Sequence, residues 1–426
     1  MPRQLFIIWL ALAALLLALA AGGCCGWKGG NHRMIDQHID REWFKRDLVE
    51  GNLAHWLAVA PTETGFFRTD VDRQWRPAEK QSATLVSQAR MLYVMSAGHR
   101  VTGEAAYLDA LRKGADFLLS SFRDEEHGGW VWSVSPSGQV LDDSKSAYGH
   151  AFVIFGLSHA AMATGDKRYA DAALETWRTM KRRLRDEQGG IIPTTSRDWK
   201  TRRGGNSQNP MMHLFEALMA LHDATAGEEV FADLGELAGF IFGRLYIEEA
   251  GCLPEMYDPQ WRPRAGEAGG YVDVGHQFEW AFLLSRAVRK GLPSKYLAIG
   301  ERLLAFGLAH GYDGESGGIF GRCQIDGTGA GGGKGWWQQC ELLRALMRYA
   351  GDHGRADLWG KFDQSLAFAR EHFIDAEYGG WYESYDPKTP RTDGPSRKGS
   401  VWKVGYHDGG MYMEGLRLTG VIGGKP

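Results

Sequence analysis

The stretch Asp124-Glu125-Glu126-His127-Gly128-Gly129-Trp130 contains the pattern from which the fold can be inferred. A glycine followed by apolar residues recurs six times, at Gly65, Gly128, Gly189, Gly251, Gly317 and Gly379. The intervals between these glycines are 63, 61, 62, 66 and 62 residues, and an aspartate precedes four of the copies, at Asp124, Asp186, Asp313 and Asp375. A repeat this regular predicts an architecture built from six equivalent units.

Two sets of helical segments alternate between the repeated glycines. In one set, apolar residues recur at three- and four-residue spacing, which predicts amphipathic outer helices over Met34 to Val59, Tyr107 to Phe122, Tyr169 to Leu184, Val230 to Leu245, Lys295 to His310 and Ala356 to Phe373. The other set is apolar on nearly all sides, which predicts buried inner helices over Ser82 to Ser96, Ser146 to Ala163, Pro210 to Ala224, His276 to Arg289, Trp336 to Ala350 and Tyr406 to Leu418. Six such pairs predict an all-α fold, an (α/α)6 barrel.

The loops between the outer and inner helices are long. Five of them, Arg123 to Lys145, Arg185 to Asn209, Ile247 to Gly275, Tyr312 to Gly335 and Ile374 to Gly405, exceed 20 residues, a length typical of functional loops. Each leads into the N-terminus of an inner helix, so all of them converge on one end of the barrel, which we call the mouth. We expect a concave, aromatic-lined pocket there.

The N-terminal residues are expected to lie outside the barrel. Arg3, the apolar run from Leu5 to Ala21 and the small residues before Cys24 predict that residues 1–25 are a signal peptide of the lipoprotein type. A plain signal peptide or an uncleaved anchor is the alternative. We therefore expect export, a lipid on Cys24 as the only membrane attachment, and one catalytic domain over residues 26–426.

Composition excludes one class of partner and leaves the cysteines without an obvious function. The 426 residues carry a net charge of −3 with no basic block, so nucleic acid is not an expected partner. Beyond the signal segment, Cys252, Cys323 and Cys340 are widely spaced, which predicts buried thiols rather than a disulfide framework. A monomer or a dimer is compatible with the sequence.

A histidine and a glutamate three residues apart open the fourth inner helix, at His276 and Glu279. Residues three apart share one face of a helix, so Glu279 is expected beside the His276 ring, raising its proton affinity and fixing its tautomer. His213 and Glu216 repeat this spacing in the third inner helix, and Glu341 is expected as a further orienting carboxylate. The two motifs could also hold Zn or Fe. We expect no metal or cofactor, because the His-Glu-x-x-His pattern is absent.

The other inner helices also carry polar or aromatic groups near their N-termini. These groups are Arg90, Tyr93, Asn209, Trp336, Trp337, Trp402 and His407. Burying so many polar groups at one end is costly unless they serve a ligand or each other. His150 is instead expected to be a core residue.

Four segments resemble the N-acylglucosamine 2-epimerase family, which includes cellobiose 2-epimerases and mannose isomerases. They are Asn209-Pro210-Met211-Met212-His213-Leu214-Phe215-Glu216-Ala217, Gly275-His276-Gln277-Phe278-Glu279-Trp280, Lys334-Gly335-Trp336-Trp337-Gln338-Gln339-Cys340-Glu341 and Trp402-Lys403-Val404-Gly405-Tyr406-His407-Asp408-Gly409. The resemblance covers about residues 35 to 420 and implies the same fold. Two positions depart from the cellobiose 2-epimerase pattern: Val404-Gly405 replaces Cys-Pro, and Gly410 replaces an arginine. Both are expected near the edge of the pocket.

The resemblance implies a role for each matching residue. His276 and His407 would be the two general acid/base histidines, and His213 would serve ring opening or substrate orientation. The remaining matches are Arg90 on the sugar oxygen at C1 or C2, Glu279 and Glu341 as orienting carboxylates, and Trp336 or Trp337 with Trp402 as sugar-stacking rings. Tyr93, Asn209 and Glu216 complete the expected substrate-binding set.

These assignments predict an isomerase that acts on a small reducing sugar. Deprotonation of C2 and reprotonation on the opposite face through a cis-enediolate would interconvert C2 epimers. Delivery of the proton to C1 would instead give a ketose, as in an aldose–ketose isomerase. A glycoside hydrolase using two of Asp143, Asp273 and Asp408, or a sugar-binding lipoprotein without activity, are further alternatives.

Overall fold

The computed structural model describes residues 34–264, 266, 270–386, 388 and 397–423. The predicted signal peptide and Cys24 lie outside the described residues. Among the helices that the structure does describe, none combines the length and the hydropathy needed to cross a bilayer.

Two concentric sets of helices form the molecule. In chain order the helices are α1 Arg41–Leu48, α2 Ala54–Val59, α3 Leu85–Thr102, α4 Ala105–Ser121, α5 Ala147–Thr164, α6 Lys167–Arg183, α7 Asn209–Thr225, α8 Glu228–Phe240, α9 Val274–Arg289, α10 Lys295–His310, α11 Trp336–Asp352, α12 Trp359–His372 and α13 His407–Leu418. The odd-numbered helices from α3 to α13 are the inner ring. A π-helical turn, Val49–Leu53, joins α1 to α2, a second one, Ile241–Leu245, ends α8, and a 3-10 turn, Ala356–Leu358, precedes α12.

The inner helices are buried on nearly all sides, as their composition predicts. In α5 almost every residue from Ala147 to Ala161 is buried. Side-chain caps begin several of these helices: the Thr84 hydroxyl accepts a hydrogen bond from the Ser87 amide, and the Asp273 carboxylate accepts one from the Gly275 amide. The predicted (α/α)6 barrel is confirmed.

Short antiparallel strands stand at the mouth, which the all-α prediction did not include. They are β1 Ala83–Thr84, β2 Ser133–Val134, β3 Val140–Asp142, β4 Lys145–Ser146, β5 Thr194–Thr195, β6 Arg202–Arg203, β7 Asn206–Ser207, β8 Met256–Tyr257, β9 Tyr271–Asp273, β10 Arg322–Gln324, β11 Lys334–Gly335 and β12 Ser384–Tyr385. Strands of two or three residues are too short to show an alternating pattern in sequence.

The strands tie each unit to the next one. The residues just before an inner helix pair with the loop of the following unit, as in β1 with β2, β4 with β5, β7 with β8, β9 with β10 and β11 with β12. The isolated bridge between Val71 and Gly399 joins the sixth unit back to the first. The loops at the mouth therefore form a closed circle.

The glycine pairs of the repeat have a packing reason. The first glycine of each copy has a positive φ, between 69° and 93°. In three of the copies a second glycine lies against a tryptophan from the next unit: a Cβ on Gly129, Gly190 or Gly380 would lie 2.6, 2.2 or 2.8 Å from Trp199, Trp261 or Trp75. Only glycine, which has no Cβ, lets the indole ring pack directly on the backbone of the neighbouring unit.

The aspartates that precede the glycines hold buried lysines. Lys145 donates to Asp124 and Lys334 to Asp313, each at 2.7 Å, and Lys398 donates to Asp375 at 2.8 Å. In all three aspartates, burial opposes ionisation, but the lysine and neighbouring donors lower the carboxyl pKa below its usual range. These ion pairs fix the loop to the start of the inner helix.

Candidate active site

His276 lies in the first turn of α9 and binds a carboxylate from the preceding loop. Its Nδ1 lies 2.8 Å from Glu255 Oε2, and Gln208 donates to the same oxygen at 2.9 Å. The Trp280 indole donates to Gln208 at 2.7 Å and so fixes the orientation of that amide. The predicted pairing of His276 with Glu279 is wrong, because the ring turns toward the loop instead of along its own helix.

The protonation of His276 follows from this environment. Burial by itself lowers the pKa of the ring, but the negative charges of Glu255 and Asp273 outweigh it and raise the pKa to about 10. His276 is therefore an imidazolium near neutral pH. With Nδ1 bound to Glu255, Nε2 is the nitrogen available for proton transfer.

His407 is the first residue of α13 and has the opposite protonation. Its Nδ1 lies 2.8 Å from Glu341 Oε1 on α11, as predicted for an orienting carboxylate. Burial and the positive charges of Arg90 and Arg344 lower the pKa of His407 well below its usual value. His407 is therefore a neutral base at the pH at which His276 is an acid.

Trp337 lies beside both histidines. The ring centroids of Trp337 and His276 are 5.0 Å apart, and those of Trp337 and His407 are 5.5 Å apart. Trp336 approaches His407 edge-on at 6.4 Å and is buried, with no partner for its indole Nε1 among the described residues. Trp337 is thus the ring of the predicted pair that lies beside both histidines.

Arg90 links the barrel wall to the rim of the mouth. Its guanidinium donates to the Trp402 carbonyl at 2.9 Å and to the Tyr148 hydroxyl at 2.8 Å, and it lies over the Phe152 ring at 4.2 Å. The side chain of Trp402 is 49% exposed, and its ring lies 5.9 Å from that of Trp132. These two indoles form an exposed aromatic edge above Arg90.

His213 and two glutamates occupy the floor of the mouth. His213 Nδ1 is 3.8 Å from Glu216 and 3.9 Å from Glu279, and burial lowers the pKa of its ring to about 4. The Tyr406 hydroxyl donates to Glu216, whose pKa falls to about 2 because His213 and Arg344 outweigh the effect of burial. Burial and the nearby Glu341 raise the pKa of Glu279 well above its usual range.

Unsatisfied polar atoms concentrate on the predicted site residues. Among the described residues, buried atoms without a hydrogen-bond partner include Arg90 Nε, Asn209 Oδ1, His213 Nδ1, both oxygens of Glu279 and Trp336 Nε1. Buried polar groups normally find partners, because an unsatisfied one costs about 1–3 kcal/mol. A ligand rich in hydroxyl groups would supply donors and acceptors to this set.

Three functional residues escaped the sequence analysis: Glu255, Gln208 and Arg344. Arg344 donates to Glu341 at 3.3 Å and lies 3.9 Å from Glu216. The spacing of Glu341 and Arg344 on one helix face was an available signal. A weaker signal existed for Glu255. It stands four positions after the repeated Gly251, as Trp132 stands four positions after Gly128 in the second unit.

Tyr93 and the two departures from the cellobiose 2-epimerase pattern lie elsewhere than predicted. Tyr93 packs against Phe155, His159 and Tyr406 and lines a cavity at the opposite end of the barrel. A Cβ on Gly410 would lie 3.3 Å from Arg344, on that same side, and one on Gly405 would meet Asn52 at 2.8 Å. Gly410 thus lines the rear of the barrel, and Gly405, two residues before His407, packs against Asn52 and Trp56 of the first unit. The guanidinium of Arg344 lies beside Gly410, the position at which the cellobiose 2-epimerase pattern has an arginine.

That cavity, which we call the rear cavity, has a volume of about 650 Å³ and is lined by the C-terminal halves of the inner helices. None of His213, His276 and His407 lines it. We place the chemistry at the mouth, because the acid–base pair and the unsatisfied site atoms lie there.

The alternative chemistries have candidate residues too. Ligand atoms of His213, Glu216 and Glu279 lie within 4.8 Å of one another, as do those of Glu279, Glu341 and His407, so either triad could accept a metal. For a hydrolase, Asp273 is engaged as the cap of α9 and Asp408 accepts from Asn52.

His150, expected in the core, accepts from the Trp130 amide at 3.1 Å.

Known proteins resemble this chain over most of its length. The N-acylglucosamine 2-epimerase (GlcNAc 2-epimerase) family matches residues 65–407. A cellobiose 2-epimerase of Bacteroides fragilis is 25% identical over 405 residues, covering 89% of this chain and 99% of that protein. A D-mannose isomerase of Thermobifida fusca is 29% identical over 369 residues, covering 82% and 87%. The solved structure of a cellobiose 2-epimerase from Spirochaeta thermophila has the same fold, with a TM-score of 0.81 at 24% identity and coverage of 89% and 96%.

Proposed function

The chain belongs to the N-acylglucosamine 2-epimerase family, and from this membership we propose that it is a sugar 2-epimerase. Its substrate is an aldose or a disaccharide with a free reducing end. The observation that carries the proposal is the pair of histidines with opposite protonation, His276 as acid and His407 as base, both beside Trp337. Two groups whose environments move their pKa values apart can divide the roles of acid and base.

The reaction begins with the open-chain aldehyde, which acidifies the hydrogen on C2. His407 Nε2 takes this proton, and the electron pair forms the C1–C2 double bond of a cis-enediolate with a negative charge on O1. Arg90, whose guanidinium already lies at the mouth, stabilises that charge. The His276 imidazolium then protonates the other face of C2, and the carbonyl re-forms as the epimer.

The geometry supports two different directions of approach. His276 lies in the first turn of α9 and His407 begins α13, and α11 stands between these two helices in the inner ring. After one turnover His407 carries the extra proton and His276 lacks one, so proton exchange with solvent restores the resting enzyme. His213 lies beside Glu216 and Glu279 and serves the opening of the sugar ring, for which its neutral form is suited.

An aldose–ketose isomerase is the second candidate. The similarity to the D-mannose isomerase of Thermobifida fusca, at 29% identity, favours it. The same enediolate gives a ketose if the proton returns to C1 instead of C2. The two outcomes differ in which carbon gains a hydrogen from solvent.

Incubation of the purified protein with glucose, mannose, cellobiose and mannobiose in D2O, followed by NMR, tests the proposal. We expect deuterium at C2 together with the C2 epimer, whereas deuterium at C1 with a ketose would establish the isomerase. His276→Asn and His407→Asn should each lower turnover by about 10²–10⁴-fold and leave sugar binding intact. His38→Asn is the control, because His38 pairs with Asp363 outside the site.

Two results would contradict the proposal. No exchange with any of the four sugars, in a protein that still binds them, would favour a sugar-binding protein without activity. We expect activity to survive dialysis against EDTA. A loss that added Zn or Fe restores would assign a metal to one of the two carboxylate–histidine triads.

We further propose that the protein is exported and carries a lipid on Cys24. The apolar run from Leu5 to Ala21 and the small residues before Cys24 support this proposal. The full-length protein should fractionate with membranes and incorporate labelled palmitate, and Cys24→Ala should lose the label. Cys252→Ala is the control, since Cys252 is buried. Recovery of the unprocessed chain in the cytosol would refute export.

A further inference from the structure

The rear cavity is strongly basic. Its lining includes the arginines Arg100, Arg286, Arg344, Arg348 and Arg417, against the glutamates Glu216 and Glu414. The carboxylates are shared: Glu414 binds both Arg348 at 3.2 Å and Arg417 at 2.6 Å. Asp352 also binds both of these arginines, at 3.0 and 2.7 Å. Arg348 and Arg417 therefore share the same two carboxylates, Glu414 and Asp352.

Arg286 takes no part in these ion pairs. Among the described residues no carboxylate lies within ion-pair distance of it, and its buried Nε has no hydrogen-bond partner. Burial and the positive charge of Arg344 lower its pKa. An arginine keeps its charge even so, and although Arg286 is only half-buried, its buried Nε is an unsatisfied donor, which is costly. The cost is offset if an anion binds there.

The rest of the lining is apolar. Phe155, Phe282, Met162 and Met413 face the same space, and its volume of about 650 Å³ falls in the range of small-molecule sites, about 300–1,000 Å³. A bare inorganic ion would fill little of it. The lining therefore suits a molecule with an apolar or neutral body and one anionic group.

From these observations we propose that the rear cavity binds a small organic oxyanion, a molecule with a carboxylate or phosphate group held by Arg286. A guanidinium presents a planar fork of donors that matches both groups. The site is separate from the histidines at the mouth. Its existence does not depend on which reaction they catalyse.

Titration calorimetry and thermal unfolding in phosphate-free, low-chloride buffer test the proposal. The probes are inorganic phosphate, citrate and glucose 6-phosphate, with chloride for comparison. We expect saturable binding of at least one oxyanion, and at least tenfold weaker binding in Arg286→Met. Arg289→Met is the matched control, because Arg289 lies on the same helix, is 51% exposed and pairs with Asp352. Tighter binding of the organic anions than of phosphate would support a role for the apolar side chains that line the cavity.

A second readout separates binding from a structural role. Without added anion, Arg286→Met should unfold at the same temperature as the wild type or higher, because methionine removes a buried Nε–H donor that has no partner. It should also lose the stabilisation that the anion gives the wild type. Unfolding at a clearly lower temperature without anion, oxyanion binding unchanged in Arg286→Met, or binding lost only in Arg90→Met would each overturn the proposal. So would the absence of binding by all three oxyanions.

Discussion

At the scale of single residues, the site is defined by which carboxylate each histidine meets. Glu255 and Glu341 bind the Nδ1 atoms of His276 and His407 at the same distance, 2.8 Å. The two rings nevertheless differ in charge, because Arg90 and Arg344 act on His407 while Asp273 adds a second negative charge near His276. The surrounding charges, and not the hydrogen bond alone, divide the roles.

Glu255→Gln should shift the alkaline limb of the kcat/KM profile. The loss of this negative charge lowers the pKa of His276 from about 10, so the imidazolium is lost at lower pH. We expect that limb to move down by about 1 to 3 pH units. Glu249→Gln, an exposed change in the same loop, should leave it in place. If the Glu255→Gln profile matches that of the wild type, His276 is not the acid.

Sequence reasoning found the histidines but not all of their partners. His276, His407, His213 and Glu341 stand in recognisable segments at helix starts. Glu255 lies in a loop, 21 residues before its histidine, and no helical periodicity relates the two. The rotamer of His276 determines whether its ring meets Glu255 or Glu279. That rotamer depends on the side chains that pack around the ring, which the sequence does not show.

At the scale of elements, the repeated glycines make the contact between units. The helices could be predicted, since a 3.6-residue period is a local property, whereas the two-residue strands depend on a partner in another unit. The tryptophans that pack on the second glycines have positive φ values, 63° at Trp75, 68° at Trp199 and 59° at Trp261. Such backbone is rare for a bulky residue and was not apparent from sequence.

Gly190→Ala should destabilise the protein by about 1–3 kcal/mol, the usual cost of overpacking. Its Cβ would lie 2.2 Å from the Trp261 ring, so the indole must move. Gly239→Ala provides the control, because a Cβ there meets nothing within 4 Å near the C-terminal end of α8, where a π-helical turn continues the helix. The control should be neutral or about 0.5–1 kcal/mol more stable. Thermal unfolding measures both, and equal midpoints would contradict the packing role of Gly190.

At the scale of the whole molecule, the two ends of the barrel differ in kind. The mouth carries loops, strands and exposed indoles, and the rear carries helix ends and arginines. Glu216, Arg344 and Tyr406 lie between them, and Arg344 lines the rear cavity while it donates to Glu341, the partner of His407. One guanidinium therefore contacts both compartments.

The ring is closed by residues that are far apart along the chain. Tyr412 on α13 donates to Asp47 on α1, 365 positions earlier, and Val71 pairs with Gly399. During synthesis the first unit emerges long before its last neighbour, so five units can assemble pairwise while one flank of the first stays uncovered. Closing so long a loop is slow. The native barrel is therefore completed only after α13 has been synthesised. A chaperone that protects the uncovered flank of the first unit would have to remain bound until then.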